Sequence, residues 1–545
     1  MNKREDKPPV AAVFQVVFDQ KVGYTIAWKR SVNGIDLEGV EFKSLPSGLH
    51  AVKEDLVYFL HGGNAGISVF VQEEADARHR NANFVAVGAL VPLNHGQLGQ
   101  SWAHAEELRR LAKKTVGRPT DTDVLQSFWE QHRADNNAAK SSPASNDSAA
   151  AKRKRAASEA TLAGFNAPSS WPLDHPALHA PAMLETFGPL LFPLHRAALA
   201  RQRVLFLGGP SVQKNSNTVY LTSILSTISK YFAESLPSEA EPLFRSSPLF
   251  SVGVHDIPEL SSRQSDTGGW IGTSTDEILG DKKDLYDLLI RLPSHTASSR
   301  TWPEVKTSSG RIVKASQRDL RRWTLLRREL RRLRRQTITR FADESPTASS
   351  DSDHRPLLER RDTGNTLAHD LTDPILPTRD DTGAVEPPTW SAMAYRGFMW
   401  WASAGDVNAW ESEESTADEE LLFDMPDLIG DIFPDNENGN GQRTQEDKES
   451  EYARAAATLL VAYFRRVTEG ILRPMGAIVE AADDATEEGV KEDEIEVGGV
   501  DLRAMGLDSW SEADKGFVKD MMKTWFGRDA VLADNGLRVC GVRMY

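Results

Sequence analysis

Residues 203–210, Arg203-Val204-Leu205-Phe206-Leu207-Gly208-Gly209-Pro210, put a short apolar run directly before a tight turn. Four consecutive apolar residues closed by Gly-Gly-Pro fit a strand buried on both faces, the kind found in parallel sheets. The flanks agree. Residues 183–201 precede the strand with helical patterning. Residues 217–234 follow it as a helix with Tyr220, Ile224, Ile228 and Tyr231 on one face. Residues 249–254 and 270–274 read as two more strands, and 283–292 as a helical or mixed stretch. Strand, helix, strand with short connections predicts a parallel α/β sheet within residues 170–341.

Upstream the pattern changes. Residues 13–18 and 22–28 are strand-like around a turn at Asp19-Gln20-Lys21, and 56–60, 67–71 and 84–90 add three strands. Gly62-Gly63-Asn64 suits a hairpin. Residues 101–114 then carry an apolar stripe at Trp102, Ala105, Leu108 and Leu111 behind an N-terminal serine, and 124–132 give a second helix. Five meandering strands followed by helices predict an α+β unit. Downstream, helices are expected at 452–472 and 512–526. The expected organisation is a sheet unit over 1–133, a disordered linker over 134–170, a central α/β unit over 171–342, and a second disordered linker over 343–391. A mostly helical region over 392–545 follows, interrupted by an acidic disordered insert at about 406–450.

Composition narrows the function. At 545 residues the chain exceeds one core, and its formal charge of −15 argues against a general nucleic-acid binder. The single cysteine, Cys540, offers neither an internal disulfide nor a Cys-rich zinc site. No apolar run approaches the ~18 residues that span a bilayer, and the charged N-terminus is no secretory leader. A cytoplasmic protein is expected, with membrane contact limited to its periphery. Lys152-Arg153-Lys154-Arg155 forms a short basic run inside the first linker.

The chemical inventory is sparse. No GxxxxGK[ST] loop, HExxH, Cys/His cluster or GxSxG elbow occurs, so neither catalytic residue, cofactor nor metal is expected. Gly208-Gly209-Pro210 stands where a phosphate cradle stands in nucleotide-binding folds but lacks the further glycines and the lysine, and reads as a turn. His255-Asp256 follows a strand and reads as a loop pair before it reads as an acid–base pair. Thr275-Asp276 reads as a helix cap or a partner contact. Two charged stretches remain. Residues 318–341 carry ten arginines around an apolar stripe at Leu320, Trp323, Leu326, Leu330 and Leu333, an amphipathic helix whose Arg321, Arg322, Arg328, Arg331, Arg332 and Arg335 suit an anionic membrane or an acidic protein. Residues 411–451 carry fifteen carboxylates against Arg443 and Lys448. Within one chain, this acidic stretch is expected to cover the basic helix.

Several strings carry a family resemblance: Val17-Phe18-Asp19, Gly23-Tyr24 and Ile26-Ala27-Trp28; residues 37–44; Pro46-Ser47-Gly48; and Asp55-Leu56-Val57-Tyr58-Phe59. Further on come Phe187-Gly188-Pro189, Arg203-Val204-Leu205-Phe206, Ser251-Val252-Gly253-Val254, Gly269-Trp270-Ile271 and Leu285-Tyr286-Asp287. In order and spacing these resemble DENN-domain proteins, most closely the LCHN subfamily and its fungal relatives, over residues 13–130 and 173–293. The resemblance implies a longin-like antiparallel sheet module, a DENN-type central α/β module and a helical downstream part. It also implies a guanine nucleotide exchange factor for a Rab-type small GTPase in vesicle traffic. Such a factor makes no bonds; it binds the nucleotide-free GTPase best and so shifts a population. The GTPase contacts are expected at strand ends near Asp256, Thr275 and Asp276, and on the helix carrying Trp102 and Glu106. A non-catalytic adaptor, or a GTPase-activating protein supplying an arginine finger, are the alternatives.

Overall fold

The computed structural model describes residues 7–19, 21–46, 52–73, 83–93, 100–134, 174–209, 211–228, 245–263, 269–293, 302–343, 383–388, 390, 393, 409–423, 425, 445–487, 494–532, 538–539 and 542–543. Most of both expected linkers, the Lys152–Arg155 run and Cys540 lie outside these residues.

The first sheet is built from β1 (Ala12–Asp19), β2 (Gly23–Ser31), β3 (Glu54–His61), β4 (Asn64–Glu73) and β5 (Asn83–Pro92), in the order β2-β1-β5-β4-β3 and antiparallel throughout. Local chemistry sets the turns. Asp19 Oδ1 accepts from the amides of Lys21 and Val22, and Gly23 follows at φ 94°. Gly62 and Gly63, at φ 53° and 74°, turn β3 into β4 with both positive angles that a tight hairpin needs. Side chains alternate between two cores. A short helix α1 (Val40–Lys43) covers one face with Leu37 and Val40 over Phe14, Val57 and Phe59. Helices α2 (Ala105–Thr115) and α3 (Asp123–His132) cover the other. The expected helix at 101–114 begins as a 3-10 turn, Ser101–His104, whose N-cap is Gln100 rather than Ser101.

In the central unit α4 (Ala180–Phe187) and α5 (Leu191–Leu199) lead into β6 (Val204–Leu207), α6 (Val212–Leu225), β7 (Ser247–Ser251), α7 (Ile257–Ser262), β8 (Trp270–Ser274), α8 (Glu277–Asp281), β9 (Leu288–Arg291) and β10 (Glu304–Thr307). The order is β10-β9-β6-β8-β7, parallel except for the antiparallel edge strand β10. The stretch 283–292, expected helical or mixed, ends as strand β9, because Leu288–Ile290 are buried against β6 rather than against one helical face.

The downstream part holds the Arg-rich helix α9 (Gln317–Asp343), the acidic helix α10 (Ala409–Glu420), the long helix α11 (Gln445–Glu487) with Pro474 inside it, and α12 (Gly499–Ala504) and α13 (Glu512–Met521). Among the described residues it has no separate core. One apolar cluster runs from Val13 and Leu108 through Phe192 and Phe206 to Leu326, Phe464 and Trp525. Polar ties match it: His195 Nε2 meets Thr468 Oγ1 at 3.0 Å, and Trp525 Nε1 donates to the Leu199 carbonyl at 3.1 Å. No helix among the described residues is long and apolar enough to cross a membrane.

Candidate functional site

The two sheets meet at a seam where edge strand β3 lies against α6 and β7. Asp55, buried on β3, holds it. Its Oδ2 accepts from the Val212 amide at 2.7 Å, and its Oδ1 accepts from the Ser211 hydroxyl at 2.9 Å and the Gln213 amide at 3.2 Å. A carboxylate from one sheet therefore caps the first turn of a helix belonging to the other, where the backbone N–H groups and the helix dipole favour negative charge. The place a phosphate would take after Gly208-Gly209 is filled by the chain's own carboxylate. Gly208 itself is packed: a Cβ there would come within 2.9 Å of Leu292 Cδ1. Around the seam Tyr58 meets Phe250 at 5.6 Å between ring centroids, and Arg109 binds Asp174 and Gln213.

The strand ends of the central sheet open on the α1 side of this seam. After β7 the chain turns through Gly253 into Asp256, whose Oδ2 accepts the Gly253 amide at 2.9 Å. Lys43 Nζ of α1 pairs with Asp256 Oδ1 at 2.5 Å, and Phe42 stacks on the His255 ring at 4.6 Å and 26°. After β8, Ser274 Oγ accepts the Asp276 amide at 3.1 Å, and α8 begins. Phe42, Val254 and Ile278 are exposed at 48%, 44% and 53%, large apolar side chains at the ends of β7 and β8 and on α1, beside acidic Asp276 and Glu259.

The five residues expected to contact a GTPase do not form one patch. Asp256, Thr275 and Asp276 stand together at the strand ends, with Thr275 and Asp276 half-buried and Asp256 buried under Lys43. Trp102 is buried in the seam, edge-on to His175 at 5.1 Å and to Tyr220 at 5.4 Å, so its ring serves packing between units. Glu106 is exposed on α2, which covers the opposite face of the first sheet. Sequence reasoning missed Phe42 and Lys43 as site residues. The signal was an aromatic and a lysine in a four-residue helix too short to bury both.

A sequence profile described as DENN domain-containing protein 11 matches residues 13–301, more than half of the chain. The chain belongs to that family. Among individual relatives, DENN domain-containing protein 11 of Xenopus laevis is 28% identical over 282 residues, 52% of this chain and 59% of that protein. Its Danio rerio counterpart is 27% identical over 52% of this chain and 54% of that protein. The uncharacterized protein ANR2 of Saccharomyces cerevisiae is 23% identical but matches along 97% of this chain and 93% of its own length. A domain of unknown function (DUF4484) matches residues 385–545. The DENN domain-containing protein 11 match thus covers the first sheet, the central sheet except its edge strand β10, and the seam.

The Arg-rich helix α9 lies between the two matched stretches, and the structure divides its arginines. Arg318 and Arg322 are turned inward onto Asp418 of α10, with Arg318 Nη2 at 3.1 Å and Arg322 Nε at 2.7 Å from Oδ1. Arg321 Nη2 reaches Glu414 of the same acidic helix at 2.5 Å. Arg322, expected on an interaction face, is therefore buried against the fold's own carboxylate, and Arg321 is half-covered. Arg328, Arg331, Arg332 and Arg335 stay exposed. Beneath this layer Arg196 joins Asp319 and Asp514 at 2.6 and 3.1 Å, and burial pushes the Asp514 carboxyl up to about 7 against the pull of Arg196. Among the described residues no group of His, Cys, Asp and Glu is arranged to hold a metal.

Proposed function

We propose that this chain is a guanine nucleotide exchange factor for a Rab-type small GTPase, acting in membrane traffic by stabilising the nucleotide-free GTPase. What carries the reading is the family match across both sheet units, which meet at the Asp55 seam as one platform. Exchange needs such a platform rather than an acid, a base or a nucleophile, since the factor acts through differential affinity for two states of its partner. Within the platform, the surface at Phe42, Val254, Asp276 and Ile278 supplies exposed apolar side chains with adjoining carboxylates, the composition of an interface core with a polar rim. Thr275 belongs to the same surface, and Asp256 fixes its floor through Lys43. Any membrane contact in this reading is peripheral.

The test is GDP release from a panel of Rab GTPases, followed by the fluorescence of a labelled nucleotide. One or a few Rabs should release GDP at least tenfold faster with the full chain, and Phe42→Ser should abolish most of that gain while leaving the melting temperature unchanged. Accelerated GTP hydrolysis instead would mark a GTPase-activating protein, and no effect on either rate across the panel would mark an adaptor.

A further inference from the structure

The exposed apolar patch of Phe42, Val254 and Ile278 has an acidic border. Its side chains come from three segments that stand together: Phe42 stacks on His255, the neighbour of Val254, and a Cβ at Gly253 would come within 3.7 Å of Asp276 Oδ2. Residues 33–44, 252–263 and 274–278 carry seven carboxylates against Lys43 and Arg263. Both cations are already paired inside the fold, Lys43 with Asp256 at 2.5 Å and Arg263 with Glu259 at 2.9 Å. Arg291 of β9 takes Glu277. Lys282 and Lys283 belong to the other end of the central sheet, where Arg203, just before β6, donates to the Asp284 carbonyl at 2.7 Å. Asp36 and Glu38 are exposed on the approach to α1. The backbone there is fixed: the Asp36 carbonyl meets His61 Nε2 at 3.0 Å, and Asp36 Oδ1 accepts the Glu38 amide at 3.0 Å.

We propose that this border selects the partner by charge, so that the GTPase face docking on Phe42, Val254 and Ile278 carries apolar side chains ringed by lysine and arginine. The partner's class rests here on the exchange reading; the sign of its charge is what the border adds. Charge complementarity decides that sign. The apolar centre supplies contact area, while carboxylates at the rim speed the encounter with a cationic face and oppose an anionic one. The formal charge of −15 on the whole chain acts in the same direction, drawing a basic surface in and repelling an acidic one.

The probe is the Rab panel itself, each GTPase stripped of nucleotide, with association and dissociation followed by biolayer interferometry over the immobilised full chain. Runs at ~0.05 M and ~0.5 M sodium chloride shorten the Debye length from ~14 Å to ~4 Å. For a GTPase that binds, association should slow ~10-fold or more at the higher salt, with dissociation changing less. The double variant D36N and E38Q should slow low-salt association ~3-fold or more and flatten the salt dependence. The control pair D121N and E130Q removes the same charge from exposed positions at α3, on the other face of the first sheet, and should change neither. All four positions are exposed, and an unchanged circular dichroism melt shows that each variant is folded. Binding whose association ignores both salt and the D36N and E38Q pair overturns the charged border, and leaves the exchange reading standing if GDP release is still accelerated. An equal effect of the control pair also overturns the border, because the overall charge then does the steering. Charge-dependent binding without accelerated GDP release keeps the border and overturns the exchange reading. No binding by any GTPase of the panel overturns both.

Discussion

Asp55 stands at the edge of one sheet and caps a helix that leaves another. Its carboxylate is buried and accepts four hydrogen bonds, from the neighbouring Leu56 amide and, across the seam, from the Val212 and Gln213 amides and the Ser211 hydroxyl. Asp55→Ala removes a helix cap and strands buried donors at once, which should lower unfolding free energy by ~2–3 kcal/mol in urea titration. Asp55→Asn, which keeps one acceptor, should lose less. Asp418 is a harsher case. It is the shared acceptor of buried Arg318 and Arg322, so Asp418→Ala leaves two buried cations facing each other at a cost of ~3–5 kcal/mol. A measured loss below ~1 kcal/mol would mean that α10 is held by packing rather than by charge. The role of Asp55 was not legible in the sequence, whereas the meeting of the acidic stretch 411–451 with the basic helix was expected from charge and Asp418 and Glu414 make it. Asp55 appeared only as part of a family string, and the arginine helix appeared as a uniformly basic face. Residues far apart in the chain, 55 with 212 and 318 with 418, make these contacts, and no local pattern names the individual pairs.

At the scale of elements, the strands of the first sheet were largely readable because each alternates cleanly and is closed by turn residues with a defined job, Asp19 and Gly62-Gly63 among them. The register holds a further device. Gly66 pairs across from Phe59 and Gly88 from Phe14, and a Cβ at either glycine would fall within 2.4 Å of the facing ring. Each phenylalanine ring fills the space over the glycine opposite. Gly88→Val should force Phe14 from its site and destabilise the sheet by ~1–3 kcal/mol, visible as a lower thermal midpoint, whereas Gly209→Ala, where a Cβ meets nothing, should be nearly silent. The helices were readable in place, and the partnership of α9 with the acidic stretch was expected from charge, but which arginines it covers was not. The apolar stripe of α9 at Trp323, Leu326, Leu330 and Leu333 is buried as its period requires. The arginines on its flank divide into a covered and an open set only because α10 arrives from elsewhere. The candidate site suffered from the same limit. Strand ends after 254 and 274 could be placed from sequence, while Phe42 and Lys43 reach them from a helix more than two hundred residues earlier.

The whole molecule shares one apolar cluster across the longin-like sheet, the central sheet and the downstream helices, so it should unfold as a coupled body rather than as independent units. Its pH response follows from buried histidines. Burial lowers His104, His175 and His179 to about 4 and His195 to about 3, from 6.5 in the unfolded chain. The folded state keeps them neutral, so their contribution is full above pH 6.5 and is lost as pH falls through 6.5 toward 4. Asp514, raised to about 7 by burial, acts oppositely: its folded form holds the proton, and stability falls as pH rises from about 4 to about 7. These four histidines should each take ~1–2 kcal/mol from the unfolding free energy between pH 7 and pH 5. Asp514→Asn should steepen that drop, because it removes an opposing group. The molecule's proposed task is tested most directly by affinity for a responsive Rab in two nucleotide states, measured by surface-immobilised binding. The account predicts binding at least a hundredfold tighter without nucleotide than with GDP and magnesium, weakened by Phe42→Ser. Equal affinity in both states would contradict it.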